Sequence, residues 1–424
     1  MDLTVEQASA HDSTETTPAV GQPAVGQAVL DAFAPDWRHD PYPSYEVLRA
    51  AGPFPPGPLN LSLVPRYAEC NAILQNPAWS HAEEPELLHP GSDILDLPAS
   101  FLWMEPPDHT RLRGLVSKAF TLRTIEGLRP RVEQVVDELV DRAVAAGEVD
   151  LIEALAYPLP LTMICELLGV PAEDHPTVRR MSAGIARGLD PDVLLTPEEV
   201  AARTEAAREF IEFFGALIAR RRAQPQDDLI SALAAVEAAG DRLTAHEMLA
   251  TLVVLVVAGH ETTVNLVGNG VLALLRNPGQ FALLRDNPDL AAPAVDELLR
   301  YDAPSQLTTR VATREIELSG HTFVPGDGVM VMFGSANRDP HAFDEPDRLD
   351  LTRYTDRNGV NRHMSFGLGL HYCIGAPLVR LEMEIALRAL AGRAPTVELL
   401  ADPPAYRPNL VVRGMAELPV RFTG

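Results

Sequence analysis

Between Thr244 and Asn277 the chain spells out one long apolar helix, and no other stretch limits its possible folds so strongly. Thr244 and Glu247 form a capping box at its start, and Asn277-Pro278 stops it. About 32 residues at 1.5 Å each make a rod of about 48 Å, while a single globule of this length has a radius of gyration near ~22 Å. The helix must cross most of the molecule, and its apolar run from Leu252 to Ala258 implies a path through the core. That run is far shorter than the ~20 residues of a membrane span. It predicts a core helix and no membrane.

The buried middle of this helix breaks local rules. Gly259 costs about 1 kcal/mol in a helix interior relative to alanine, and Glu261 is a charge placed among apolar residues. A place where sequence logic fails is often a functional site. One reading has Thr262 and Thr263 bonding to carbonyls one turn back and bending the helix. Another gives Glu261 and Thr262 a chemical task, and both can hold together.

A second stretch, Phe366 to Gly375 (FGLGLHYCIG), declares a chemistry. Glycines at 367, 369 and 375 let the backbone turn tightly and approach a flat ligand. Cys373 lies just before a helical pattern carried by Ile374, Leu378, Leu381 and Ile385, so its sulfur is expected at a helix N-terminus. There, free N–H groups and the helix dipole are expected to lower the thiol pKa and favour the thiolate, the form that ligates metals. One thiolate on a glycine-lined turn suits an axial haem ligand better than zinc, which takes four protein ligands or three plus water.

This stretch resembles the haem-binding loop of the cytochrome P-450 superfamily, with Ile374 where many relatives have leucine. The resemblance implies that Cys373 is the axial thiolate of haem b (iron protoporphyrin IX), that His371 bonds a haem propionate, and that Phe366 and Gly367 pack beside the sulfur and the ring. In the central helix, AGHETT resembles the family's oxygen-activation segment: Ala258 and Gly259 would make room beside the iron, and Glu261 and Thr262 would be the catalytic acid and alcohol that manage protons. WMEPPDHTRLR (Trp103 to Arg113) resembles the segment whose histidine and arginine bind a propionate, here His109 and Arg113, one helical turn apart. Arg310 matches a third propionate ligand. Glu297 and Arg300 resemble the buried ExxR ion pair, with Arg348 as its partner arginine and Leu349 where the family commonly has an aromatic residue. These three are structural rather than catalytic.

The fold class implied is mainly α with small β-sheets, a cytochrome P-450 fold with its long central helix over a buried haem. Helical patterns are expected over Tyr67 to Gln75, Leu115 to Arg142, Ala154 to Leu168 and Pro197 to Arg222, and short strands from Arg310 to Phe333 with turns at Ser319-Gly320 and Pro325-Gly326. With no repeat and no internal Gly/Ser linker, residues 30–424 read as a single domain after a flexible N-terminal tail, residues 1–29, which lacks the basic and apolar regions of a signal peptide. Acidic residues outnumber basic ones 59 to 35, for a net charge of −24, which argues against binding nucleic acid. Three scattered cysteines fit a reducing, cytoplasmic setting.

By this resemblance the protein is a monooxygenase that inserts one oxygen atom of O2 into a C–H bond or alkene of a largely apolar small molecule, a polyketide or macrolide type of secondary metabolite. With no flavin or Fe–S motif in the chain, electrons would come from a separate ferredoxin and ferredoxin reductase docking at the Cys373 face, where Arg111, Lys118 and Arg380 are candidate contacts, and the enzyme would act as a monomer. Pocket residues would be Val254, Val257, Ala258, Leu307, Thr308, Val411 and the irregular loop from Ser80 to Leu102. Two other functions are compatible with parts of this pattern: a haem-thiolate peroxygenase, in which the acid-alcohol pair has little to do, and an inactive homologue acting as a partner or haem sensor, which need not keep Cys373, Glu297 and Arg300.

Overall fold

A computed structural model describes residues 21–423 except 83, 85–87, 90–99, 119, 236, 239–240, 357 and 395; of residues 237–238 and 241–242 it describes the backbone alone. Residues 1–20 of the expected tail and much of the 80–102 loop lie outside the described residues. The helices in chain order are α1 (Gln22–Phe33), α2 (Tyr42–Ala51), α3 (Tyr67–Gln75), α4 (Asp108–Ser117), α5 (Leu122–Gly127), α6 (Arg129–Ala146), α7 (Pro158–Leu168), α8 (His175–Arg187), α9 (Pro197–Ala223), α10 (Leu229–Ala235), α11 (Ala245–Arg276), α12 (Pro278–Asp286), α13 (Ala291–Tyr301), α14 (Phe333–Ala336) and α15 (Ala376–Arg393).

The central helix is α11. Thr244 Oγ1 accepts the N–H of Glu247 at 3.1 Å, and the Thr244 N–H donates back to the Glu247 carboxylate at 2.8 Å, so both halves of the capping box form. The helix packs against α7, α8, α9, α13 and α15. Its whole length is long and apolar enough to cross a bilayer, although the run of consecutive apolar residues is not; 78% of its apolar window is buried inside the protein, which makes it a core helix.

The strands are few and short. β1 (Ser62–Val64), β2 (Trp79–Ser80), β6 (Thr308–Ala312) and β9 (Gly328–Val331) form one sheet in the order β1-β9-β6-β2, with β1 parallel to β9 and the other pairs antiparallel. β3 (Glu148–Asp150) and the C-terminal pair β10 (Thr396–Leu399) and β11 (Pro419–Thr423) form a second sheet. Two hairpins complete the set among the described residues, β4 (Glu237–Ala238) with β5 (Asp241–Arg242), and β7 (Ile316–Leu318) with β8 (His321–Phe323). Leu318 pairs with His321 across Ser319 and Gly320, both at positive φ (47° and 77°), the two-residue turn that matches strand twist.

Three expectations about the chain need correction. The tail boundary lies earlier than residue 29: α1 begins at Gln22, and Ala28 and Ala32 are buried with Tyr45, Leu48 and Leu61, because α1 lays an apolar face on α2. The helix expected from Leu115 to Arg142 is three helices, since Thr121 caps a new start with its side chain and Pro130 opens α6. The pattern from Ala154 begins as a π-helical turn, Ile152–Ala156, before α7.

The partner arginine of the ExxR pair is also different from that expected. Arg300 donates to both carboxylate oxygens of Glu297, at 2.8 and 2.9 Å, and both side chains are fully buried. The second guanidinium on Glu297 belongs to Arg353, at 3.1 Å. Arg348 offers Arg300 only its backbone carbonyl, at 3.2 Å, while its side chain, 57% exposed, pairs with Glu345. The turn around Glu345 (φ 43°) points Arg348 to solvent and brings Arg353 under α13.

Candidate active site

Cys373 is set at the foot of α15. Its N–H donates to the Phe366 carbonyl at 2.9 Å, which closes the loop on itself. The N–H groups of Gly375 and Ala376 point at the sulfur, as expected for a helix start. Burial nonetheless outweighs them and pushes the thiol pKa up rather than down, with Arg113 and Arg380 giving partial opposition. The expected lowering does not occur in the protein alone, and only a cation at the sulfur would complete it. Within the loop Gly369 is at φ +67°, and a Cβ there would lie 2.4 Å from the Leu74 carbonyl oxygen. Phe366 is buried beside His363 and under the Arg380 guanidinium, 4.7 Å from its ring centre. Gly367, at φ +65°, turns the chain directly after it.

Helix α4 brings His109 and Arg113 against this loop. The His109 ring is buried 4.8 Å from that of His371, and Arg113 donates to the Tyr372 carbonyl. Both nitrogens of His109 and both of His371 lack a hydrogen-bond partner among the described residues. Burial, reinforced by His371 and Arg113, pushes the His109 pKa down to about 4. Arg310, on β6, is buried and among the described residues donates only to neutral oxygens, Thr308 Oγ1 at 3.1 Å and the Thr309 carbonyl at 2.6 Å; burial lowers its pKa. The structure adds His81, which no motif flags: its ring lies 5.3 Å from that of His371, and its Nε2 lies 3.3 Å from Thr308 Oγ1. Two carboxylates face this cluster, Glu84 beside His81 and Glu105 at 3.6 Å from His371. Three imidazoles and two guanidiniums thus converge from α4, β6, the residue after β2 and the cysteine loop.

Helix α11 carries the other expected group. Among neighbours that are buried almost without break, Ala258 is exposed and Gly259 and Thr262 are half-buried. A Cβ on Gly259 would meet only Ile164, at an ordinary 3.7 Å, so protein packing does not demand glycine there. Thr262 Oγ1 donates to the Ala258 carbonyl at 2.7 Å and Thr263 Oγ1 to that of Gly259 at 3.2 Å, so the bonds back to the preceding turn are present.

Glu261 points elsewhere. It is buried, accepting the Tyr157 hydroxyl at 2.8 Å on one oxygen and Arg407 Nη1 at 3.0 Å on the other. His260 Nε2 lies 3.3 Å from it and 3.1 Å from Ser182 Oγ. Burial would raise its pKa, but His260, Arg407 and Tyr157 together hold it at about 2. The expected acid-alcohol pair is therefore adjacent in sequence without a direct hydrogen bond. Tyr157 and Arg407 leave no signal in the sequence.

Of the expected pocket residues, Ala258 is exposed, Thr308 and Val411 are half-buried, and Val254, Val257 and Leu307 are packed into the core. Arg380 is held by Asp296 at 2.8 Å and Arg111 pairs with Glu247, so of the three candidate docking cations these two are engaged within the protein, while Lys118 is exposed.

The residues present suit a haem. Imidazole nitrogens unbonded among the described residues, buried Arg310 and half-buried Arg113 answer its two propionates, a bare patch on a core helix answers a flat apolar ring, and the Cys373 sulfur, held by two N–H groups, answers the iron.

Comparison with known proteins accords with this arrangement. Residues 92–291 and 286–391 match the family model described as Cytochrome P450. The chain is 41% identical to 6-deoxyerythronolide B hydroxylase of Saccharopolyspora erythraea, over 93% of its own length and 98% of that protein's. It is 41% identical to the cytochrome P450 monooxygenase PikC of Streptomyces venezuelae, over 93% and 94%. Among solved structures, P450BioI in complex with a fatty-acyl-ligated acyl carrier protein superposes with a TM-score of 0.85 at 37% identity, covering 92% of this chain and 99% of that one. Ligand-free CYP164A2 of Mycobacterium smegmatis superposes with a TM-score of 0.84 at 42% identity, covering 93% and 99%.

Proposed function

This chain belongs to the cytochrome P450 family and is a haem-dependent monooxygenase, and from that premise we propose that Cys373 is its axial ligand and that its substrate is a largely apolar secondary metabolite of the polyketide or macrolide type. The observation that carries the site assignment is the imidazole pair of buried His109 and half-buried His371, whose nitrogens make no hydrogen bond among the described residues although Glu105 lies 3.6 Å from His371, beside a sulfur that accepts two backbone N–H groups. Leaving such polar atoms unpaired is costly, and the carboxylates of a haem would satisfy them.

Each residue then has a physical task. Gly375 and Ala376 N–H groups, with Arg113 and Arg380, support negative charge on Cys373. His109, His371, Arg113 and Arg310 hold the propionates. Bound haem supplies an iron that activates dioxygen with electrons from outside the chain. Thr262 faces the exposed Ala258 patch, and its hydroxyl, resting on the Ala258 carbonyl, can turn to hold a proton at Oγ1. Glu261 has both oxygens engaged and is anionic at neutral pH, so it accepts and passes a proton only when Arg407 or Tyr157 lets one oxygen go. Ala258, Thr308 and Val411 line the substrate space, with Val254, Val257 and Leu307 as its apolar backing.

The substrate class rests on likeness to 6-deoxyerythronolide B hydroxylase, PikC and the polyketide-biosynthesis P450 PksS of Bacillus subtilis. Electrons come from a separate ferredoxin and ferredoxin reductase, and the enzyme works as a cytoplasmic monomer; Cys70, Cys165 and Cys373 are all free, as a reducing compartment requires. The test is a panel of polyketide and macrolide substrates scored by the change in iron spin state, followed by Thr262→Ala with the best of them. The variant is expected to give less product per electron consumed. An unchanged yield would remove Thr262 from proton delivery, and a panel of nonbinders would remove the substrate class.

A further inference from the structure

His260, directly before Glu261 on α11, is a fully buried imidazole. Its Nδ1 lies 2.7 Å from the Val256 carbonyl, one turn back on the same helix. A carbonyl only accepts, so Nδ1 carries a proton in every charge state, and Nε2 alone decides whether the ring is neutral or cationic. Nε2 faces two oxygens, Ser182 Oγ of α8 at 3.1 Å and Glu261 Oε1 at 3.3 Å.

These two neighbours differ in what they tolerate. The Ser182 hydroxyl suits both states of the ring, since its proton points either at a bare Nε2 or at the Arg179 carbonyl, 3.1 Å away. Glu261 suits only one. Its pKa is held at about 2, so it is a carboxylate, and a bare Nε2 would set a lone pair against a negative oxygen inside the protein, where low dielectric makes the contact costly. A proton on Nε2 turns the same contact into a charge-assisted bond. Tyr157 shares Oε1 through its hydroxyl at 2.8 Å, and its ring lies 5.7 Å from that of His260. Arg407 holds Oε2 at 3.0 Å, and Arg179, paired with Glu153 at 2.8 Å, lies 3.9 Å above the Tyr157 ring. The Arg407 side chain, 24% exposed, carries the cluster to solvent.

We propose that His260 stores the proton that Glu261 hands on, acting through Glu261 rather than on substrate. One proton moves from Nε2 to Oε1 when Tyr157 lets that oxygen go, because losing a donor raises the carboxylate's affinity for a proton. Imidazolium and carboxylate both become neutral, and no electron moves. Ser182 then turns its hydroxyl to the bare Nε2, until water entering beside Arg407 returns a proton to the ring. Imidazoles exchange protons near neutral pH, which a carboxyl held at about 2 does not do alone. This rests on the monooxygenase reading, in which Glu261 passes a proton on.

Two measurements on the holoenzyme test the store. The first is the nitrogen NMR spectrum of histidine-labelled, reduced, carbon-monoxide-bound protein, in which the His260 signal is the one missing from His260→Gln. At pH 7 the ring is expected to carry a proton on both nitrogens. Across a pH titration, Glu261→Gln is expected to lower the ratio of doubly to singly protonated ring about tenfold, the effect of losing one charge-assisted hydrogen bond. A singly protonated ring in the wild type, or a ratio that Glu261→Gln leaves unchanged, would overturn the proposal. The second is oxygen consumption driven by an excess of a surrogate ferredoxin and its reductase, since reducing O2 by two electrons takes two protons with or without an added substrate. His260→Gln keeps an amide donor for Glu261 but has no proton to give, so consumption is expected to fall about a hundredfold. A rate within about twofold of wild type would mean that His260 only positions Glu261, and the store would be lost. If His260→Gln fails to fold, the signal that moves in Glu261→Gln identifies His260 and the first measurement decides. A wild type whose carbon-monoxide complex lacks the absorption band of a thiolate-bound haem would instead overturn the haem reading.

Discussion

Replacing Arg353 with alanine tests the corrected ion-pair assignment. Glu297 accepts two bonds from Arg300, one from Arg353 at 3.1 Å and one from the Asp350 N–H at 2.9 Å. Arg353→Ala removes one charged bond from the carboxylate, one from the Asp344 carbonyl at 2.8 Å and two long ones from the Glu345 and Arg348 carbonyls at 3.4 and 3.5 Å. Glu297 stays paired with Arg300, so the cost is that of a charge-assisted hydrogen bond, about 1.5–3 kcal/mol, rather than the roughly 3–5 kcal/mol of an orphaned buried charge. Arg348→Ala removes a pair whose side chains are 57% and 69% exposed, which is worth well under about 1 kcal/mol. A chain of this length unfolds with an entropy near ~0.9 kcal/mol/K, so the melting temperature of the holo-protein is expected to fall by about 2–3 °C for Arg353→Ala and by less than about 1 °C for Arg348→Ala. Thermal melts followed by circular dichroism, with haem content measured on the same samples, decide it. A larger loss for Arg348→Ala than for Arg353→Ala would refute the assignment.

Two further outcomes follow from the site geometry. Gly369→Ala places a Cβ 2.4 Å from a carbonyl oxygen at a positive φ, so it is expected to cost at least about 1–3 kcal/mol and to lower haem occupancy; full occupancy with an unshifted melting temperature would count against the loop geometry. Glu261 has a folded pKa of about 2 against an ordinary 4.5, so its contribution is fully present above pH 4.5 and is lost as the pH falls toward 2. The stability advantage of wild type over Glu261→Gln, read from urea unfolding, should therefore shrink across that window, by roughly 3 kcal/mol in total; a pH-independent difference would mean that Glu261 is not held as a buried anion.

What could be read in the sequence follows the range of the forces involved. The ends of α11 are set by contacts within one turn, the Thr244–Glu247 box and Asn277-Pro278, and both stand where local chemistry puts them. The glycines, His371 and Cys373 lie within ten residues of one another, so their association needs no tertiary information. Arg348 and Arg353 could not be told apart, because the choice depends on the path of a non-periodic turn through Glu345. Tyr157 and Arg407 meet Glu261 across 104 and 146 residues, and nothing local marks either of them. The direction of the Cys373 pKa depended on burial, which the N–H groups at a helix start do not reveal. His81 was hidden for the same reason as Arg407: its partners come from β6 and the cysteine loop.

The central claim is a haem bound through Cys373, and the most direct measurement is the absorption spectrum of the reduced, carbon-monoxide-treated protein beside that of Cys373→His. The wild type is expected to show the red-shifted band of a thiolate-ligated haem, and the variant to lose it while retaining haem held by His109, His371, Arg113 and Arg310. A wild-type spectrum without that band, or a variant that keeps it, would contradict the account.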